Sequence, residues 1–175
     1  APNILHYVSA PGRVWGMDQK DDYALVAAGE GGLLTFSTCD PIGPLIVSQV
    51  PTSDYATDVL IVGQHAYVAD RFEGLAIFDI TDPANPAAIS YLPDSGMANW
   101  AVFLASAGDL LVTGASSEVS ILDISVRSRP SLLGTYIADG EIRGLALQDN
   151  RLVLAEFTSG VVVVVYDVTE LRRLE

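Results

Sequence analysis

One block of the chain can be laid over three others. Residues 66–86, AYVADRFEGLAIFDITDPANP, stand in gap-free register with residues 24–44, ALVAAGEGGLLTFSTCDPIGP. Val26 falls on Val68, Gly32 on Gly74, Leu33 on Leu75, Phe36 on Phe78, Asp40-Pro41 on Asp82-Pro83 and Pro44 on Pro86. Residues 110–130 place Val112, Val119, Ile121, Leu122, Asp123, Ile124 and Pro130 in the same frame. Residues 152–170 follow with about two extra residues inside their valine run, an even number that keeps each side chain on its own face of a strand. The spacing is about 42 to 44 residues, so four copies fill the 175-residue chain. A unit of that size cannot bury its apolar surface alone and must stack on its neighbours.

Within a copy the pattern is β throughout. DVLIVG, AYVAD, LAIFDIT and AAISYLP are short runs rich in Val, Ile, Leu and aromatic residues. Gly63-Gln64, Glu73-Gly74, Asp82-Pro83 with Asn85-Pro86, and Asp94 to Gly96 punctuate them as turns. Apolar residues do not recur at helical spacing for long, and Gly or Pro interrupts each candidate helix. Four antiparallel strands in about 43 residues is the arithmetic of a β-propeller blade. The expected fold is all-β, a propeller of four-stranded blades with four blades per chain, forming a single domain over residues 1–175. Its parts are a closing strand at 1–12 and blades at 13–53, 54–96, 97–140 and 141–175.

The closing strand comes from the two ends. The last copy runs out after its third strand at VYDVTELRRLE, whereas NILHYV near the start aligns with AAISYL and SLLGTYI, placing Tyr7 under Tyr91 and Tyr136. The last blade is thus expected to be completed by the N-terminal strand, which removes two open sheet edges. The ring closes within one chain, or two chains join head to tail as an eight-bladed homodimer. The single ring is favoured because closure within one chain has the lower entropic cost.

The unit YVAD..EGLAIFDITDPANP resembles the LVIVD repeat of bacterial and archaeal β-propellers, whose strand pattern is similar to LAIFD at 75–79 and VSILD at 119–123. The resemblance is strongest in the second copy and weakest in the first, where Ser37 replaces the Asp found at Asp79, Asp123 and Asp167. It implies a fold and an extracellular or cell-surface location, with the cytoplasm left open, and it brings no catalytic residues. Function therefore has to be argued from a site.

Composition narrows the field. The formal charge is −13, from 22 acidic and 9 basic residues, which disfavours nucleic acid as a partner. Half of the residues are hydrophobic, but no apolar run is long enough to span a bilayer as a helix. Cys39 is the only cysteine, which rules out an internal disulfide and a thiolate metal cluster.

Asp79, Asp123 and Asp167 read as turn formers rather than calcium ligands, because calcium needs about six to eight converging oxygens and these lie on separate blades. His6, on the closing strand, and His65, in the turn between first and second strands, have no nucleophile or carboxylate partner in sequence. GEGG at 29–32 lies between strands and reads as a β-turn, not a phosphate loop. No catalytic residue, metal or cofactor is called for.

The propeller frame itself locates the candidates. Loops entering each first strand and loops joining second to third strands gather on one face around the central channel. The entrances GRVWG, DYATD, MANWA and EIRG present Arg13, Trp15, Tyr55, Asp58, Asn99, Trp100, Glu141 and Arg143. The second set of loops adds Arg71 and Phe72, together with Glu30 and Phe157. These positions do not repeat from blade to blade, as a packing role would. They predict a face that binds a protein, peptide or glycan. A plain structural alternative has the tryptophans wedged between blades and Arg13, Arg143, Asp58 and Glu141 paired across the channel as a plug. Two functional alternatives stand beside the binding face: a hydrolase or lyase using Glu141, Asp58 and Arg143, and a piece of a larger propeller without a function of its own.

Overall fold

The computed structural model describes residues 7–40, 43–71, 73–92, 102–149, 151–157 and 160–165. Every regular element among them is a strand, and the strands form four antiparallel sheets. The first blade is β1 (Gly16–Lys20), β2 (Tyr23–Ala27), β3 (Leu33–Ser37) and β4 (Leu45–Val50). The second is β5 (Asp58–Val62), β6 (His65–Ala69), β7 (Leu75–Asp79) and β8 (Ala87–Leu92). The third is β9 (Phe103–Ala107), β10 (Leu110–Ala115), β11 (Glu118–Asp123) and β12 (Ser131–Ile137). The fourth comprises β13 (Ile142–Gln148), β14 (Arg151–Glu156) and β15 (Gly160–Val165). Each sheet is a simple meander, with sequential strands paired side by side. Of the closing strand predicted at 1–12, residues 1–6 lie outside the described residues, as does Asp167, and residues 7–12 are described but form no strand.

Local chemistry explains the meander. The turns between first and second strands begin with a residue in the left-handed region: Asp21 (φ 51°), Gly63 (φ 64°), Gly108 (φ 60°) and Asp149 (φ 54°). Gly and Asp are the residue types that enter that region most readily. The turn in the second blade is tighter than the sequence reading had it. Gly63-Gln64 completes it and Val62 already pairs with His65, so His65 opens β6 instead of lying in the turn. A register shift recurs between third and fourth strands at Thr35/Phe36, Ile77/Phe78 and Ile121/Leu122, the same place in the repeat each time. Such bulges increase strand twist, which a propeller blade needs.

The core lies between blades. One cluster joins Leu25, Ala27 and Leu33 to Val59, Val68 and Phe78. A second joins Tyr67, Leu75 and Ile77 of the second blade to Leu111 and Leu122 of the third. A third packs Val112, Val119 and Ile121 on Ile142, Leu152 and Leu154. The second and third blades are thus covered on both faces, which is why their middle strands read as continuous apolar runs. Polar bonds cross the same seams: the Tyr67 hydroxyl donates to the Arg127 carbonyl (2.9 Å), and Lys20 Nζ donates to the Gly63 carbonyl (2.7 Å). Burial pushes the Tyr67 phenol up to about 12, against the opposing pull of Arg127.

The inner strands β1, β5, β9 and β13 lie side by side around the channel. Their inner edges have no ladder partner, and two aspartates serve them instead. Asp18 Oδ2 accepts the Ile61 amide (2.8 Å) and Asp58 Oδ2 accepts the Leu104 amide (2.9 Å), each reaching from one blade to the next.

Candidate functional site

Antiparallel order puts the entrances to β1, β5, β9 and β13 on the same face of the ring as the hairpins between second and third strands. On that face a cavity of about 880 Å³ is lined by residues of all four blades, within the usual range of about 300–1,000 Å³ for ligand sites. Six of the ten residues picked from the sequence line it: Arg13, Trp15, Tyr55, Arg71, Glu141 and Arg143.

Backbone bonds place these side chains. The Trp15 amide donates to the Ala27 carbonyl (3.0 Å), continuing the β1–β2 ladder towards the mouth. Gly29 and Ala56 form a two-way bridge between the first hairpin and the second entrance, with N···O distances of 2.9 and 3.2 Å. Gly29 has φ 56°, and a β-carbon there would lie 2.7 Å from Tyr55 Cζ. Glycine takes this conformation without strain and leaves room for the close approach of the tyrosine. Asp70, fully buried at the end of the β6 hairpin arm, accepts the Ser53 amide (2.7 Å) and the Asp54 amide (3.1 Å) through Oδ2. It fixes the loop that carries Tyr55.

On this frame the side chains form stacked pairs. Trp15 Nε1 donates to the Tyr55 hydroxyl (2.9 Å), and the two rings meet edge to face at 6.1 Å. The Arg13 guanidinium lies over Trp15 at 5.6 Å, Arg71 over Tyr55 at 5.6 Å and Arg143 over Phe157 at 5.2 Å. Arg143 also forms an ion pair with Glu141 at 2.9 Å. Trp15 is 51% exposed and Phe157 71% exposed, so neither is wedged into the core as the structural alternative required of a tryptophan. Glu141 pairs with Arg143 on its own strand entrance, not across the channel.

The remaining picks fare differently. Asp58 is not among the residues lining the cavity. Its Oδ2 takes the Leu104 amide and its Oδ1 takes its own neighbour's, Val59 N (2.9 Å). Burial between blades raises its carboxyl above the ordinary value, those two backbone bonds work against the rise, and the nearby Asp18 charge adds to it. Phe72, Asn99 and Trp100 lie outside the described residues, as does His6. Glu30 is exposed at the tip of a first hairpin whose neighbouring residues are buried. Cys39 is exposed in the turn after β3. GEGG forms the tight connection between β2 and β3, where Gly32 N donates to the Gly29 carbonyl (3.0 Å). Among the described residues no three His, Cys, Asp or Glu side chains cluster as a metal site, and no helix is long and apolar enough to cross a membrane.

Sequence reasoning missed Thr57, Ser116, Ser117 and Glu118 in the lining. It also missed Asp70, although a signal was there: VAD at 68–70 and LAE at 154–156 put an acidic residue at the same place in two copies. The fourth-blade counterpart, Glu156, is likewise buried, but among the described residues neither of its oxygens accepts a hydrogen bond.

Comparison with known proteins agrees with this architecture. The LVIVD repeat model matches residues 53–91 and 110–138, which lie in the second and third blades. The computationally designed protein Ika4 superposes with a TM-score of 0.74 at 13% identity, over 94% of this chain and 98% of that one. The designed protein Ika8 gives 0.70 at 14% identity, over 87% of this chain and 46% of its own length. No curated protein sequence matches. At such identities the likeness speaks to fold alone. Four meander sheets around a channel make the fold a β-propeller, and its second and third blades match the LVIVD repeat.

Proposed function

We propose that the protein is a non-enzymatic scaffold whose channel mouth binds a protein, peptide or glycan. One observation carries this reading: six residues that depart from the repeat, brought from three of the blades, line a single cavity with exposed aromatic surface. Aromatic and arginine side chains in a concave, partly dry setting are the usual anchors of recognition. The hydrolase or lyase alternative draws on the raised carboxyl of Asp58. That rise is accounted for by its place between blades, and both of its oxygens already hold backbone amides. The proposal includes an extracellular or cell-surface location and a single closed ring completed by the N-terminal strand. A solution mass of twice the chain would replace that ring by the head-to-tail dimer.

The test is a panel of peptides and oligosaccharides applied to the native protein and to Trp15→Ala. The expected result is at least one ligand retained by the native protein and lost by the variant, with the thermal midpoint little changed. A native protein that retains nothing from the panel, together with a variant that unfolds far more easily, would establish the plug instead.

A further inference from the structure

The mouth reverses the charge of the molecule around it. The protein carries a formal charge of −13 and has nine basic residues, yet three guanidiniums, those of Arg13, Arg71 and Arg143, line this one cavity against two carboxylates, Glu118 and Glu141. Each guanidinium lies over an aromatic ring. A guanidinium over a ring face keeps its full charge and is the side chain best suited to carboxylate and phosphate oxygens; Arg143 is already engaged by Glu141.

A second observation comes from the backbone. Arg71 has φ 44°, in the region that side chains with a β-carbon avoid, and its counterpart in the first copy is Gly29, with φ 56°. The same turn is made without strain by glycine in one blade and against the steric preference by arginine in the next. A residue held in a disfavoured conformation at a cavity, where the fold has an easier solution in its own repeat, points to a use for its side chain.

From these two observations we infer that the channel mouth is an oxyanion site, taking a small ligand that carries a carboxylate or a phosphate next to a ring. The guanidiniums of Arg13 and Arg71 hold the anion, and the exposed face of Trp15 takes the ring. This rests on the reading of the mouth as a binding face and adds the chemical class of what binds.

The test follows the Trp15 indole N–H resonance, identified by its loss in Trp15→Phe, while glucuronate, inorganic phosphate and neutral glucose are added separately at millimolar concentration. Glucuronate should shift it and glucose should not. Arg13→Gln and Arg71→Gly should each weaken glucuronate binding at least about tenfold, the cost of one charge-assisted bond, while circular dichroism stays native. Glucuronate binding more tightly than phosphate assigns the anion to a carboxylate on a ring; the reverse order assigns it to phosphate. The inference is overturned by the absence of any response to either anion, by equal responses to glucose and glucuronate, or by arginine variants that bind like the native protein. Equal responses to the two sugars would leave the binding face standing and remove only its charge preference.

Discussion

The two faces of the ring use charged residues in opposite ways. On the face away from the mouth, aspartates turn inward on their own backbone: Asp79 accepts the Thr81 amide (2.8 Å), Asp82 the Ala84 amide (3.1 Å) and Asp123 the Ser125 amide (2.7 Å). The Asp79 and Asp123 contacts stand at the same place in the second and third copies and fix the turn after the third strand there. At the mouth, Arg13, Arg71 and Arg143 project over aromatic rings, and none has an arginine at the matching place in another copy. What recurs builds the ring, and what fails to recur distinguishes one face of it from the other.

That contrast can be broken by mutation, and the largest effect belongs to the recurring side. Phe78 is fully buried in the seam between first and second blades. Phe78→Ala should cost about 3–5 kcal/mol, read from urea unfolding. A loss below about 1 kcal/mol would mean that the seams are not where the stability resides. Next is Gly16, where a β-carbon would lie 2.9 Å from the Asp58 α-carbon. Gly16→Ala should cost about 1–3 kcal/mol, because the Asp58 carboxylate, which lies nearer still, and the backbone behind it would both have to give way. The mouth should be cheaper to alter. Trp15→Ala removes a half-exposed ring with one edge-to-face partner, so about 1 kcal/mol is expected. A loss as large as that of Phe78→Ala would erase the distinction between the faces.

The smallest effects are those of pH, and here two aspartates should pull apart. Asp58 is raised by burial from its ordinary value of 3.8. The stability it contributes is fully present below 3.8 and is lost as the pH rises through the higher folded value. Asp79 is lowered from 3.8 by bonds from the Thr81 hydroxyl and amide. Its contribution is present above 3.8 and is lost as the pH falls through the lower folded value. Thermal midpoints recorded across the acid range should therefore lose slope above 3.8 in Asp58→Asn and below it in Asp79→Asn. A single aspartate variant that flattened both limbs would contradict the assignment.

The ring was legible because its signals are local and repeated. Gly32 on Gly74 and Asp40-Pro41 on Asp82-Pro83 mark turns that each residue type forms for its own reasons, and four such units leave few ways to bury their apolar faces. The bulges at Thr35/Phe36, Ile77/Phe78 and Ile121/Leu122 were not legible, since no special residue type is needed to make them. Arg71 was found because it breaks the frame. Ser116, Ser117 and Glu118 were missed because the third blade turns from β10 to β11 in two residues, so the frame offered no loop there. Asp58 was legible as an entrance residue but not as an acceptor for Leu104, 46 positions away, because the contact depends on how adjacent blades dock.

That contact, with its partner from Asp18 to Ile61, has a consequence for how the ring opens. Most strand amides are held by a neighbour in the same sheet and become free to exchange with solvent deuterium when a blade frays. The amides of Ile61 and Leu104 are held by a carboxylate from the blade before. Their exchange rates register the parting of one blade from the next, so two protons distinguish a ring that breathes at its joints from blades that unravel at their edges.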